Sequence, residues 1–222
     1  MAETLRKQLL DTSRGRILAL LRRGELTADD IATNLGLTAS AVRMQITAMA
    51  RDGVVRKVGT RPGTTRPSHV FELTPEVERL LSKAYLPVLT HLVDVVAESL
   101  PAPAVERLLR LTGTALAHEL SAGKHASGGL EQRVGRASRL MNEHLGALTD
   151  VERDGGFRIR GAGCPLSALT GKHPVVCLAI ETFVSEIVGV AVRECCDRNK
   201  RPQCCFEVQV RPARRRTSRK EP

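Results

Sequence analysis

The stretch LTADDIATNLGLTASAVRMQITAMARDGVV, residues 26–55, decides the fold of the N-terminal part of the chain. Thr27 precedes a short amphipathic segment whose first turn is acidic, as the positive end of a helix dipole favours. Gly36 can adopt the left-handed conformation that ends such a helix. Thr38 or Ser40 then caps a second helix. The pattern predicts two helices joined by a tight turn.

The second of these helices has two faces of different chemistry. Val42, Ile46 and Met49 recur at helical spacing and are expected to pack inward. The opposite face carries small, polar and basic side chains, which suit a recognition helix in the major groove of DNA. These candidate DNA-binding residues are Ser40, Arg43, Met44, Thr47 and Arg51. An ordinary amphipathic surface helix is the alternative.

The flanking segments complete a winged helix-turn-helix. Upstream, apolar residues at helical spacing over residues 5–21 predict a first helix. Downstream, residues 54–58 and 69–73 predict two strands. The connecting loop, residues 59–68, is rich in turn-forming residues and is expected to contact phosphates or a minor groove. Its candidate DNA-binding residues are Arg61, Thr65 and Arg66.

Residues 26–55, followed by RPGTTRPSHVFELT at 61–74, resemble the helix-turn-helix and wing of winged-helix repressors of the ArsR/DeoR-like group. The resemblance implies a regulator that binds a double-stranded DNA operator and is not an enzyme. It places Arg43 at the basic position early in the recognition helix, the first choice for a base contact. A winged helix used for protein contacts is the alternative.

Charge is placed unevenly along the chain. Residues 1–75 hold 12 Lys/Arg against 7 Asp/Glu, residues 211–222 hold 6 against 1, and the segment between them holds 16 of each. A basic module and a basic tail suit a polyanionic partner. No run of about 18 apolar residues is present, so we expect a cytoplasmic protein with no membrane partner.

The middle of the chain reads as helical. Residues 75–100 form one apolar-periodic segment in which we expect Pro87 to introduce a kink, and residues 105–120 and 130–148 predict two more helices. Such helices often pair with those of a second subunit in winged-helix regulators, so we expect a homodimer. Packing of these helices within one chain is the alternative.

All six cysteines lie between residues 164 and 205, a clustering that in a cytoplasmic chain indicates metal or redox chemistry more than disulfide stapling. Cys164 is expected in a loop, and Cys177 in the first turn of a helix that begins at Pro174. Residues 188–196 and 204–210 read as paired strands. Their alternation favours Cys196 and Cys204 as the inward pair, with Cys195 and Cys205 as alternates that face away.

The stretch GCPLSALTGKHPVVC, residues 163–177, resembles the C-terminal cluster-binding region of the repressors that control iron-sulfur-cluster assembly (Suf) genes. The resemblance implies an iron-sulfur cluster, and the expected ligands are Cys164, Cys177, Cys196 and Cys204. The 195/196 pair falls later than that family's third ligand. Zinc, which four thiolates hold equally well, and a metal-free thiol-disulfide switch are the alternatives.

The sequence therefore predicts an α+β chain with a winged helix-turn-helix at 1–75, a helical linker and dimerisation region at 76–148, a small α+β cysteine-bearing domain at 149–210 and a disordered basic tail at 211–222. We expect a regulator whose operator affinity follows cluster occupancy or oxidation state. One rival is a winged-helix regulator with structural zinc and an organic effector. The other is a thiol oxidoreductase with an appended DNA-binding module.

Overall fold

The computed structural model describes residues 11–62, 67–121, 127–199 and 201–209. The chain divides into two units, one up to Leu86 and one from Pro87 onward. The elements of the first unit are α1 (Ser13–Leu21), β1 (Leu26–Thr27), α2 (Ala28–Leu35), α3 (Ala39–Arg51), β2 (Val55–Arg61), β3 (Ser68–Leu73) and α4 (Pro75–Leu81). This order confirms the predicted winged helix-turn-helix.

The helix-turn-helix forms where its local signals predict it. The Thr27 side chain accepts a hydrogen bond from the backbone N–H of Asp30, whose carboxylate accepts one in return from Thr27, a reciprocal cap of α2. Gly36 ends α2 with φ 63°, in the left-handed region. Thr38, and not Ser40, caps α3. Each helix end is therefore satisfied by residues adjacent to it in sequence.

The core of the first unit joins α1, α2 and α3 to the wing. Ile17, Ile31, Val42 and Met49 are fully buried, and Val55 and Leu73 close the core from the sheet. The inward face predicted for α3 is confirmed. Its opposite face is thereby left pointing to solvent.

The wing is a three-stranded antiparallel sheet in the order β1-β3-β2. The short strand β1 was not predicted, because two residues carry no periodicity of their own. Strands β2 and β3 extend further into the loop than expected, and Arg61 pairs with Ser68. Of the predicted wing contacts, Thr65 and Arg66 lie outside the described residues, as do residues 5–10 of the predicted first helix and the predicted basic tail at 211–222.

Helix α5 (Tyr85–Ser99) leads into the second unit, where the other elements are α6 (Ala102–Leu120), α7 (Leu130–Leu145), β4 (Thr149–Arg153), β5 (Phe157–Gly161), α8 (Ser167–Thr170), a 3-10 turn (Pro174–Val176), α9 (Cys177–Val188), β6 (Val192–Glu194) and β7 (Cys205–Val208). The strands form an antiparallel sheet in the order β4-β5-β7-β6. Strand β7 is therefore central in the sheet.

Helices α6 and α7, assigned from sequence to a helical linker, share one core with the cysteine-bearing sheet. Met141 of α7, Phe183 of α9 and Phe206 of β7 belong to the same buried cluster. Gly113 of α6 permits close approach to α9, since an added Cβ would collide with the Ala179 carbonyl oxygen. This close packing of α6 against α9 positions the start of α9, which is Cys177.

Three predicted boundaries are wrong. The break between α4 and α5 lies at residues 82–84, because Pro87 falls in the first turn of α5, where proline is tolerated. Helix α7 ends at Leu145 and not at Leu148, since Gly146 takes a left-handed φ of 63°. The predicted strand 188–196 contains only β6, because α9 continues through Val188 before Gly189 ends it.

Among the described residues, no single helix is long and apolar enough to cross a membrane. Helices α4 and α5 would pass that test of length and composition only as a pair, and they are bent by 63° at their junction.

Candidate nucleic-acid interface and thiol cluster

The outer face of α3 is an exposed strip of mixed chemistry. All five side chains predicted to read DNA from this helix are exposed, and Met44 has 70% of its surface open to solvent. The Thr47 hydroxyl donates a hydrogen bond to the Arg43 carbonyl at 2.8 Å, so it is held against the helix surface. The strip therefore presents two long basic side chains, Arg43 and, at the end of the helix, Arg51.

Arg43 is engaged with a carboxylate of the neighbouring helix. Its guanidinium lies 2.7 Å from Asp29 Oδ1, and the Ser68 hydroxyl donates to the other oxygen of Asp29 at 3.3 Å. Both charged side chains are more than half exposed. An exposed pair of this kind contributes about 0.2–1 kcal/mol, so Arg43 can exchange Asp29 for another acceptor.

Arg61, at the end of β2, is held in a comparable way. It lies 3.5 Å from Asp30 Oδ2 and donates to the Glu25 carbonyl oxygen at 3.2 Å. The pKa of Asp30 is lowered, first by the hydrogen bonds it receives from Thr27 and then by the charge of Arg61. The wing base is thus tied to the start of α2 by a charge pair.

In the second unit, the structure brings cysteines from distant segments together. The Cys177 and Cys196 sulfurs and a carboxylate oxygen of Glu194 all lie within 4.8 Å of one another. The Cys196 thiol also contacts the Cys204 side chain. We call Cys177, Glu194, Cys196 and Cys204 the thiol cluster.

Cys164 lies beside the thiol cluster but is not among the residues whose ligand atoms lie within 4.8 Å of one another. It is half-buried and packs against the same core. The loop that carries it is bonded to the Cys204 segment, since the Cys204 N–H donates to the Gly163 carbonyl oxygen at 3.3 Å and Gly161 N–H donates to the Cys204 carbonyl at 2.8 Å. All four predicted ligands therefore share one neighbourhood.

Packing several thiols together changes their ionisation. Contact with Cys196 raises the pKa of Cys177, and burial raises it further. Contact with Cys177 lowers the pKa of Cys196, but contact with Cys204 and burial raise it, so that it too ends above its usual range. The raised pKa values of Cys177 and Cys196 favour their protonated forms at neutral pH, and binding of a cation must release those protons.

Glu194 and Arg198 are site residues that the sequence reasoning missed. The backbone N–H of Cys196 donates to Glu194 Oε1 at 2.9 Å, and Arg198 lies 2.5 Å from Oε2 of the same carboxylate. Arg198 also contacts the Cys177 side chain. The signal for Glu194 was present, since strand alternation puts it on the face of Cys196.

Cys195 and Cys205 form a disulfide bond across the edge of the sheet. Their Cα atoms lie 4.9 Å apart, within the range a disulfide requires. Cys195 is exposed and Cys205 is buried. In this bond the two alternate ligands offer no thiolate, and the bond joins the strand ends that carry Cys196 and Cys204.

A charged cluster ties the segment before Cys177 to helix α5. Asp94 Oδ1 accepts hydrogen bonds from His173 Nε2 at 2.6 Å and from Lys172 Nζ at 2.7 Å. Both bonds, that from Lys172 foremost, lower the pKa of Asp94. His173 belongs to the His-Pro-x-x-Cys part of the motif, so its role here is to anchor the start of α9.

The segment that contains α1, α2 and α3 matches a known protein family. Residues 11–57 match the family described as "Bacterial regulatory protein, arsR family". They form an arsR-family helix-turn-helix domain. The match ends within β2, so this arsR-family domain includes the whole candidate recognition helix and none of the cysteines.

Solved structures provide further likenesses, none of high overall similarity. Rv0081 of M. tuberculosis is 25% identical over 43% of this chain and 94% of its own, with a TM-score of 0.29. The adhesin competence repressor AdcR of Streptococcus pyogenes is 21% identical over 49% and 81%, with a TM-score of 0.28. PadR of Bacillus subtilis, solved with operator DNA, is 16% identical over 78% and 94%, with a TM-score of 0.27. No curated protein matches the chain.

Proposed function

We propose that this chain is a DNA-binding transcription regulator whose operator affinity depends on the metal or redox state of the cysteines in its second unit. The observation that carries the proposal is the arsR-family domain, whose recognition helix buries Met49 and exposes Arg43. A basic side chain on a helix that fits the major groove can donate two hydrogen bonds to a guanine. No catalytic role is assigned to the thiols.

The wing supplies sequence-independent affinity in this proposal. Arg56, Lys57 and Arg61 are exposed along β2. Cations of this kind bind phosphates, release counterions and orient the recognition helix without reading bases. Thr65 and Arg66, at the tip of the predicted wing, are assigned the same role from sequence.

The regulator acts as a homodimer in this proposal, with α5 at its interface. Helix α5 has no buried residue, and its exposed apolar side chains include Val88, Leu89, Leu92 and Val95. Exposed apolar surface of this extent marks an interaction site, and a second copy of the chain fits the two-fold operators of winged-helix proteins.

Control passes from the cysteines to α5 through Asp94. The segment that ends at Cys177 is bonded to Asp94 by Lys172 and His173, and α5 continues toward the DNA-binding unit. A change at the thiol cluster that moves the start of α9 therefore changes the bonds that Lys172 and His173 make to Asp94 of α5. Such control requires that the two states differ in DNA affinity by about 1–3 kcal/mol.

DNA binding is tested with the full chain and duplexes selected from a random pool. Arg43→Ala should weaken binding to the selected duplex by about 1–3 kcal/mol and relax the preference at one base pair. Arg23→Ala, which removes an equal charge from the exposed turn after α1, is the matched control and should keep that preference. Equal behaviour of the two variants would refute base reading by Arg43.

Control and dimerisation need separate measurements. Operator affinity is measured before and after a chelator removes metal, and again before and after the thiols are oxidised. If the affinity is unchanged in both comparisons, control by the cysteines is refuted. Sedimentation should show that Leu92→Glu converts a dimer into a monomer with unchanged helix content. A wild-type monomer would refute the interface.

A further inference from the structure

The thiol cluster has the dimensions of a site for one metal ion. In tetrahedral zinc sites, metal–sulfur bonds of about 2.3 Å and metal–oxygen bonds of about 2.0–2.2 Å separate the ligand atoms by about 3.5–4 Å. The ligand atoms of Cys177, Glu194 and Cys196 all lie within 4.8 Å of one another. In a [4Fe-4S] cluster, by contrast, each thiolate binds a different iron, which spreads the ligands further apart, and in a [2Fe-2S] cluster only two of the four thiolates share one iron.

We propose that Cys177, Glu194 and Cys196 bind a single thiophilic divalent cation of the Zn²⁺ class, with Cys204 as the fourth ligand. Cys204 lies outside the group of ligand atoms within 4.8 Å, and it completes the set as the neighbouring thiol, because its side chain contacts Cys196 and is buried in the same core. Binding exchanges each thiol S–H bond for a bond to the metal and releases the proton to solvent, with no change of oxidation state. Glu194 contributes a carboxylate without releasing a proton.

The surrounding backbone is already arranged for charged sulfur at Cys196. The Cys205 N–H donates to the Cys196 sulfur at 3.2 Å, and hydrogen bonds to a sulfur favour its thiolate form. The Glu194 N–H is bonded to the Glu181 carboxylate at 2.8 Å, and Arg110 lies 3.5 Å from Glu181. These contacts orient the ligands from outside the site, as outer-shell partners do in metal proteins.

Arg198 provides a positive charge next to the proposed metal ligands. Its guanidinium bonds to Glu194 and contacts Cys177, two of the groups that the ion would bind. A metal ion bound by Cys177 and Glu194 lies beside the Arg198 guanidinium, and repulsion between the two positive charges displaces Arg198 when the ion binds.

This inference deepens the proposed function by naming the cation class at its cysteine site, yet it is tested without DNA. The reduced full chain is titrated with Zn²⁺ against a chromophoric chelator, and with Co²⁺, whose absorption reports thiolate coordination and tetrahedral geometry. The variants are Cys177→Ser, Glu194→Gln and Arg198→Gln. Controls are Cys164→Ser, which alters a predicted cluster ligand outside the closest group, and Glu143→Gln, on the exposed side of α7.

The expected result is one ion per chain with tetrahedral cobalt spectra. Glu194→Gln and Cys177→Ser should each weaken Zn²⁺ binding by about tenfold or more, as loss of a supporting or direct ligand does. Both controls should bind as the wild type does. Arg198→Gln should bind up to about fivefold more tightly, since it removes a competing, partly exposed ion pair.

Several results would overturn the inference. A brown protein that carries several irons and sulfide per chain, or loss of metal in Cys164→Ser, would identify a cluster instead. Unchanged binding in Glu194→Gln would remove the carboxylate from the ligand set, and weaker binding in Arg198→Gln would refute displacement. If one ion binds as described while operator affinity is unaffected, the proposed control fails and the metal site stands.

Discussion

The five exposed candidate side chains of the DNA-binding unit lie on one helix of 13 residues, whereas the closest ligand atoms of the second unit come from Cys177 and from residues 194–196. Helix α3 presents its strip because a helix has a fixed period, so burial of Met49 on one side places Arg43 on the other. The thiol cluster exists only when α9 and the edge of the sheet are packed side by side.

The two sites therefore differ in the kind of substitution that disrupts them. A surface substitution on α3 changes one contact, and the helix remains. A change in the packing of α9 against the sheet alters the distances between ligands that are contributed by separate elements. The disulfide between Cys195 and Cys205 and the Asp94 cluster each restrain one side of that packing.

The sharpest test of the helix-based site compares two methionines on α3. Met49→Ala should lower the free energy of unfolding of the first unit by about 2–5 kcal/mol, because Met49 is fully buried. Met44→Ala, at a residue 70% exposed, should change it by no more than about 0.5 kcal/mol. Urea unfolding with hydrogen exchange of the α3 amides measures both changes. Similar decreases in the free energy of unfolding would refute the assignment of a buried and an exposed face to α3.

The disulfide provides the corresponding test of the packed site. Cys195→Ser should lower the free energy of unfolding of the second unit by about 2–3 kcal/mol, since the bond closes a loop between residues separated by 10 positions. In excess reductant the variant and the wild type should unfold at the same urea concentration. A difference that persists in reductant would mean that the Cys195 side chain acts through contacts and not through the bond.

A pH-dependent loss is expected at Asp94. Lys172 and His173 lower its pKa, so its contribution to stability is present above the unfolded-state value and is lost as pH falls through the lower folded-state value. Asp94→Asn should therefore destabilise the second unit at neutral pH, and the difference from wild type should vanish in acid. Thermal unfolding across pH measures this; a difference independent of pH would exclude the charge as its cause.

The smallest effect is expected at the ion pair between Asp29 and Arg43. Asp29→Asn should raise operator affinity by up to about fivefold, since Arg43 no longer has to leave a carboxylate. The same substitution combined with Arg43→Ala should give no gain, as a double-mutant cycle requires of coupled residues. A gain that survives in the double variant would instead indicate repulsion between Asp29 and phosphates.

Prediction from sequence succeeded where signals act over a few residues. Thr27, Gly36 and Thr38 mark helix ends through contacts within about one turn, so α2 and the start of α3 were located closely. It failed at residues 188–191, because an apolar β-branched run suits a buried helix as well as a strand, and Val188 belongs to α9. The pairing of Cys195 with Cys205 depends on strand register, which alternation alone does not specify.

By itself the sequence determined the winged helix-turn-helix, the inward and outward faces of α3 and the concentration of cysteines at the C-terminal end. Caps, glycines and helical periodicity are local and do not require the rest of the chain. Only the tertiary structure decided that Glu194 and Arg198 join Cys177 and Cys196, and that α6 and α7 share a core with the sheet. Those distances follow from packing between elements far apart in sequence, which no local pattern encodes.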